Sequence, residues 1–187
     1  MEQAVFGSAC APAISILCEK AGDAAEREAL LDRVMGPRRK SKSSEKLRRG
    51  RLPAEGLAFV ARDLGGRMIG SVRLWNVRLG DAGANALLLG PLAVEREFAG
   101  QGIGAALMRH AIAEARRLEH QAILLVGDAG YYGRFGFTSD LTGGISMPGP
   151  YEAHRFLALE LTTGAMAHAS GTLCPTGRKA ATRSLVA

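Results

Sequence analysis

Apolar residues come along this chain in short runs divided by glycine-bearing corners, and the spacing within each run predicts the element it forms. Ala13 to Glu19 (AISILCE) is rich in β-branched residues and predicts a first strand. Asp23 then stands as an N-cap for a helix through Val34, with Ala24, Leu30, Leu31 and Val34 on one face, and Gly36-Pro37 stops it. Ser43 to Leu47 predicts a second short helix capped by a serine. Leu57 to Arg62 and Arg67 to Leu79 predict a hairpin across the turn Asp63-Leu64-Gly65-Gly66, with Met68, Gly70, Val72 and Leu74 on one face of the second strand.

The next run changes character. Ala86 to Val94 shows no polar alternation, as a strand covered on both faces requires. It passes through Glu95-Arg96-Glu97-Phe98 into a glycine corner, AGQGIG, and then into a helix from Gly102 to Leu118. Ile103, Leu107, Ala111, Ala115 and Leu118 fall on the apolar stripe of that helix, and Glu114, Arg116, Arg117 and Glu119 on its wet side. Ala122 to Val126 (AILLV) is a second continuous apolar strand, so the strand–corner–helix–strand unit predicts two parallel, buried strands. Ala129 to Phe135 predicts one or two helical turns closed by Gly136. Thr138 to Tyr151 reads as loop, with a short strand between Leu141 and Met147. Arg155 to Leu161 predicts a terminal strand with a mixed face. Beyond Thr162 the chain reads as an extension, part of it ordered against the sheet and mobile at its end. The order predicts an α/β (α+β mixed sheet) fold: a central mixed β-sheet flanked by helices. It forms one domain over residues 1–187, with its core about 13–161.

Composition narrows the class. With 187 residues, 47% hydrophobic and 22% charged, the chain has the make-up of a globular protein in water, with no apolar run long enough to span a membrane. The first residues lack a basic start, so no secretory leader is expected. Cys10, Cys18 and Cys174 are odd in number and far apart. They fit neither a disulfide framework nor a metal site, and free thiols in the cytoplasm are expected. The net charge of +6 is concentrated. Arg38, Arg39, Lys40, Lys42, Lys46, Arg48, Arg49 and Arg51 face only Glu45 within that stretch, which reads as a solvated helix face plus a mobile loop attractive to phosphates or acidic partners. No aromatic residues are interleaved there, so nucleic acid is not the expected partner.

The glycine corner is where chemistry enters. Unpaired N–H groups at a helix start, approached closely because Gly100, Gly102 and Gly104 carry no side chain, form an anion site. A mononucleotide P-loop requires Gly-Lys-Ser/Thr, whereas Ala105-Ala106 follow Gly104. A dinucleotide corner belongs after the first strand of a parallel sheet, and this one follows antiparallel strands. LAVEREFAGQGIGAALMRHAIAEA instead resembles the acyl-CoA-binding motif of the GNAT superfamily of N-acetyltransferases. ILLVGDAGYYGRFGF is similar to that family's next strand and following helix, with Tyr131-Tyr132-Gly133-Arg134-Phe135-Gly136-Phe137 matching its Phe-Tyr-x-x-x-Gly-Phe ending. Element order agrees from about Ile14 to Leu161. Ala99 departs from the pattern, standing where the family usually has Gln or Arg, and Gln101 occupies a variable position.

The resemblance implies transfer of an acyl group, in the first instance acetyl, from acetyl-CoA to a primary amine of a small molecule, peptide or protein, in a direct ternary complex without a metal. It implies that the strand ending at Val94 splays from the one starting at Ala122, and that pantetheine pairs with the backbone of Leu92, Ala93 and Val94. The pyrophosphate is expected on the corner formed by Ala99, Gly100, Gln101, Gly102, Ile103, Gly104 and Ala105, and an N–H near Val94 is expected to hold the oxyanion. Tyr132 takes the position of the general acid that protonates the departing sulfur, and Tyr131 is its packing neighbour. The base stays open among Glu95, Glu97, Asp128 and a water chain. His110 reads as a residue of the long helix, and His154 and His168 as loop and tail candidates. The basic stretch suggests an acidic or phosphorylated acceptor, or a contact to CoA. A homodimer is compatible with the sequence, and so is a module of the same fold that binds CoA without chemistry.

Overall fold

The computed structural model describes residues 14–81 and 83–181. Cys10 and the first residues, where no secretory leader was expected, lie outside them, as does the end of the tail. Nine strands and four α-helices occur among the described residues. Strands β1 (Ser15–Cys18), β2 (Ala58–Arg62), β3 (Met68–Arg78), β4 (Asn85–Val94), β5 (Ala122–Val126) and β7 (Phe156–Glu160) lie in that order across one sheet. Only β4 and β5 run parallel; every other neighbouring pair is antiparallel. Two-residue strands β6 (Ile145–Ser146) and β8 (Gly171–Thr172) pair with each other, and β9 (Cys174–Pro175) pairs with the far end of β3.

The sheet is covered on both faces. Helix α3 (Ile103–Arg117) lies on one, where Ile103, Leu107, Met108 and Ala111 pack with Phe59, Val72, Leu74, Leu87 and Leu89. It sits close, because a Cβ on Gly70 would come 3.0 Å from Leu107 Cδ1. On the other face α1 (Ala24–Met35) sets Leu30 and Leu31 against Val60, Met68 and Ala93. Beside it, α2 (Ser43–Arg48) and the tail cover Trp75, Val77 and Leu88 through Leu47, Met166 and Leu173. Burial on both sides explains why β4, β5 and β7 carry apolar residues at nearly every position.

Several local expectations change. Gly70, Val72 and Leu74 do face α3, but a register shift between Ala61 and Arg62 turns Met68 to the α1 side. Asp23 precedes α1 without capping it; its carboxylate takes the Lys20 N–H at 2.8 Å and pairs with Arg62. Ser43 caps nothing either, since its hydroxyl donates to the Pro150 carbonyl. Leu118 falls past the end of α3 and is exposed. The strand near Leu141–Met147 shrinks to Ile145–Ser146. β7 is buried along Phe156–Leu159 rather than mixed, and it is not terminal, because β8 and β9 follow it into the fold.

The basic stretch is the largest correction. It is neither solvated throughout nor a loose loop: a 3₁₀ turn at Pro37–Ser41 and α2 fold it against the sheet, with Arg39 and Arg48 buried. Arg39 binds Glu28 and Asp32, and Arg48 binds Glu45. Buried guanidinium groups need carboxylates, and here most of these lie on α1, outside the stretch.

Candidate active site

The split between β4 and β5 organises the site. The two strands pair at Leu87 with Ile123 and Leu88 with Leu124, leaving β4 from Leu89 to Val94 without a strand neighbour on that side among the described residues. The irregularity that starts the divergence lies opposite Arg73, where Gly90 and Pro91 form a bulge. Trp75 Nε1 donates to the Gly90 carbonyl at 2.6 Å and pins it. Beyond the bulge, Glu95 N donates to Ile69 O at 2.8 Å. Alternation along an antiparallel ladder then turns the Ala93 N–H and C=O toward β3, and those of Leu92 and Val94 into the split. Of the three residues expected to pair with an extended ligand, two are therefore free to do so and Ala93 is not.

The chain leaves β4 through a 3₁₀ turn at Arg96–Phe98 and reaches Gly100 and Gly102 at φ +80° and +83°, the left-handed region that glycine tolerates. A Cβ on either would meet nothing within 4 Å, so the space over the corner is open. Among the described residues, the amides of Gly100, Gly102, Ile103, Gly104 and Ala105 have no acceptor, and no side chain caps α3. Ala99 N and Gln101 N are already bonded to Arg96 O and Phe98 O. The anion cradle is thus five N–H groups at the positive end of a 15-residue helix. Its groove, about 270 Å³, is lined by Val94, Phe98, Ala99, the corner glycines, Tyr131 and Arg134. Gln101 is absent from it, its side chain turned back onto Glu97 O.

Helix α4 (Ala129–Tyr132) and the 3₁₀ turn after it close the groove from the β5 side. Asp128 caps α4 by accepting the Tyr131 N–H at 2.8 Å. The Tyr131 hydroxyl rests against α3, 2.8 Å from where a Gly104 Cβ would stand, and burial raises its pKa despite Arg134 and Arg109. Arg134 stacks on the Tyr131 ring at 4.1 Å. Tyr132 lies against Gly127 at the end of β5, where only glycine leaves room for its ring, and edge-on to Phe137. Its hydroxyl bonds to no described residue. No fully buried side-chain oxygen among them lacks a partner, so that hydroxyl is open to solvent, although the groove itself is lined by Tyr131 and not by Tyr132. Burial of the ring, helped by Tyr131, pushes its pKa up to about 12.

The candidate bases are occupied. Glu95 is buried and bonded by Arg33 at 2.5 and 2.9 Å, with Arg67 at 3.7 Å. Glu97 pairs with Arg67 at 2.6 Å, and Asp128 caps α4. His110 packs edge-on against Phe59, His154 faces Glu152 from an exposed turn, and His168 is exposed in the tail; none lines the groove. Cys18 and Cys174 are free thiols outside the site. Arg134 is the residue that motif reasoning passed over. It fell at a variable position of the Phe-Tyr-x-x-x-Gly-Phe pattern, and only the fold carries it to Gly104.

The chain is similar to known proteins in sequence and in fold. Residues 54–139 match the sequence model of the acetyltransferase (GNAT) domain, a span from the approach to β2 through α4. A stretch of 64 residues is 39% identical to the N-acetyltransferase YjhQ of Escherichia coli K12, covering 34% of this chain and 35% of that relative. The chain therefore matches about a third of the relative's length. Over 90% of this chain and 93% of the other, the fold superposes on the GNAT N-acetyltransferase YhbS of Escherichia coli in complex with CoA, at 26% identity and a TM-score of 0.76. A GNAT acetyltransferase of Brucella melitensis in complex with acetyl-CoA aligns over 79% of this chain and 88% of its own, at 27% identity and a TM-score of 0.61. No helix among the described residues is long and apolar enough to cross a membrane.

Proposed function

We propose, from the chain's place in the GNAT family through its acetyltransferase domain at residues 54–139, that this protein transfers acetyl from acetyl-CoA to a primary amine by direct attack. The observation that carries the reading is the row of five unpaired amides at the start of α3, opening beside the unpaired edge of β4. Residues fit the donor at both ends. The amides of Gly100 and of Gly102 to Ala105 hold the pyrophosphate. Arg134 adds the positive charge that Ala99 cannot supply. The backbone of Leu92 and Val94 takes the pantetheine arm as an added strand, and the Val94 N–H faces the developing oxyanion.

Transfer forms a C–N bond and breaks a C–S bond; the sulfur leaves with the electron pair, and the nitrogen loses one proton. Tyr132 is the donor to that sulfur. Its phenol at about 12 lies roughly 3 to 4 units above an ordinary thiol, so complete proton transfer is uphill by about 5 kcal/mol. Tyr132 therefore acts first as a hydrogen-bond donor that stabilises charge on sulfur. It completes the transfer as the new amide sheds its proton to water, and water returns a proton to the phenol. With Glu95, Glu97 and Asp128 bound to structural partners, that proton leaves to water, and the acceptor enters as a neutral amine.

A module that binds CoA without chemistry would keep the glycine corner and have no use for an open Tyr132 hydroxyl. Initial rates with acetyl-CoA and amine varied together test the proposal. Intersecting reciprocal plots support direct transfer, whereas parallel plots, the signature of an acyl-enzyme, overturn it.

A further inference from the structure

On the face of β4 opposite α3, the bulge at Gly90–Pro91 forms the floor of a second cleft, about 140 Å³, between α1, the 3₁₀ turn, α2 and β3. That is on the order of ten water volumes, a small-molecule scale. Its walls are dominated by cations. Arg27, Arg39 and Arg73 there are neutralised by Glu19, Glu28 and Asp32, and Arg48 Nε is bonded by Glu45 at 2.7 Å. What remains is specific. The Arg48 side chain is only 9% exposed, and its Nη1 and Nη2 bond to no described residue. No fully buried side-chain nitrogen among these residues lacks a partner, so both reach solvent, and Arg48 is one of the residues that line the cleft. Nη1 lies 3.7 Å from where a Gly90 Cβ would stand. Arg49 and Lys40 carry the rim without an acid partner among the described residues.

A buried guanidinium half-satisfied by protein and aimed into a cavity is a binding group for an anion with paired oxygens. Its position relates it to the chemistry, a relation that rests on the acetyl-transfer reading above. The bulge is one to three residues from Leu92 and Val94, roughly 3 to 10 Å along a strand. On that reading the donor lies in the groove at the start of α3, whereas this cleft is walled by α1 and α2 on the other face of β4, so an acceptor held here would approach from the opposite side.

We propose that the Pro91 cleft is the acceptor subsite and that it takes a small primary amine bearing a carboxylate or phosphate a few bonds from its nitrogen. Arg48 grips the anion, and Lys40 and Arg49 draw it in.

Matched pairs test this: β-alanine against propanolamine, and phosphoethanolamine against ethanolamine, read as kcat/KM with saturating acetyl-CoA. The anionic member of at least one pair should exceed its neutral partner by about tenfold or more, and the pair with the larger ratio tells carboxylate from phosphate. Arg48→Met should bring the ratio toward one while acetyl-CoA binds as in wild type, and Arg48→Lys should restore part of it. Equal or better use of neutral amines, or an unchanged ratio in Arg48→Met, overturns the proposal. Should Arg48→Met lose acetyl-CoA binding through misfolding, the exposed pair Lys40→Ala and Arg49→Ala replaces it and must lower the ratio severalfold; an unchanged ratio there also overturns the proposal. If acetyl-CoA binds but no amine is acetylated, the transfer reading fails and the cleft is judged by calorimetry: phosphoethanolamine must bind wild type and not Arg48→Met, and equal binding defeats it.

Discussion

Arg134 lies over Tyr131 with its guanidinium carbon 4.1 Å from the ring centroid, while its Nε donates to the Tyr131 carbonyl at 2.9 Å. Stacking and hydrogen bond together hold a cation in the groove that the corner glycines also line. On the acetyl-CoA reading, the arrangement supplies from the 3₁₀ turn after α4 the charge that the corner lacks at Ala99. Arg134→Ala is expected to weaken acetyl-CoA binding about ten- to a hundredfold, the weight of one hydrogen bond to a charged group, with kcat nearly unchanged. Isothermal titration at two salt concentrations checks it, since the wild-type affinity should fall more steeply with salt.

Gly104→Ala separates stability from binding. Alanine is the better helix former by at most roughly 1 kcal/mol, which offsets the displacement of the Tyr131 hydroxyl, so the thermal midpoint should change by only a few degrees. The added Cβ would come 2.8 Å from the Tyr131 hydroxyl and stand among the free amides. Acetyl-CoA affinity should fall at least about tenfold. Melting curves with and without ligand read both effects.

Tyr132→Phe should leave fold and acetyl-CoA affinity intact, because the hydroxyl has no bond to any described residue to lose. Turnover should drop about a hundredfold, the lower range for loss of a general acid. The wild-type pH–rate profile should climb with deprotonation of the amine and show no descending limb below about pH 11, since Tyr132 keeps its proton to about 12. The sign for stability is the same: a phenol raised in the folded state stabilises below its unfolded value near 10, and that contribution disappears as pH rises toward about 12.

Glu28 gives the acid counterpart. Burial pulls its carboxyl up, but bonds from Arg39 and Arg27 prevail and hold it at about 2. A depressed carboxyl stabilises the fold above its unfolded value of 4.5, and that stability is lost as pH falls from there toward about 2. Arg39→Ala should destabilise by about 1 kcal/mol, because it takes a shared cation from two carboxylates that are themselves about half exposed. It should also flatten the acid limb of a denaturation series taken across that range.

Glu95→Gln tests the assignment of proton removal to water. Loss of the bond to Arg33 should lower the melting temperature by several degrees while turnover stays within about threefold. A fall in kcat of a hundredfold at unchanged acetyl-CoA affinity would make Glu95 the base.

Elements set by local pattern were legible in the chain. The apolar run of β4, the corner and α3 announce themselves because burial on both faces and a glycine-opened helix start leave direct marks in sequence. Relations across long separations were not. Glu95 reads as a free acid until α1 brings Arg33 to it, 62 residues away in sequence. Arg39 and Arg48 read as solvated until the fold supplies Glu28, Asp32 and a ceiling over β3. β8 and β9 are two residues each, too short for any period to show. Ala93 and Leu92 look equivalent in sequence, and only the ladder register shows which of them faces the split.

The central claim is that the split between β4 and β5 delivers an acetyl group to an amine. It is tested most directly by following free-thiol release from acetyl-CoA by the wild-type protein across a panel of primary amines, with mass spectrometry of the product. Amine-dependent thiol release matched by an acetylated amine, and reduced about a hundredfold in Tyr132→Phe, is the predicted result. Thiol release that no amine accelerates, with no acetylated product, would contradict the account.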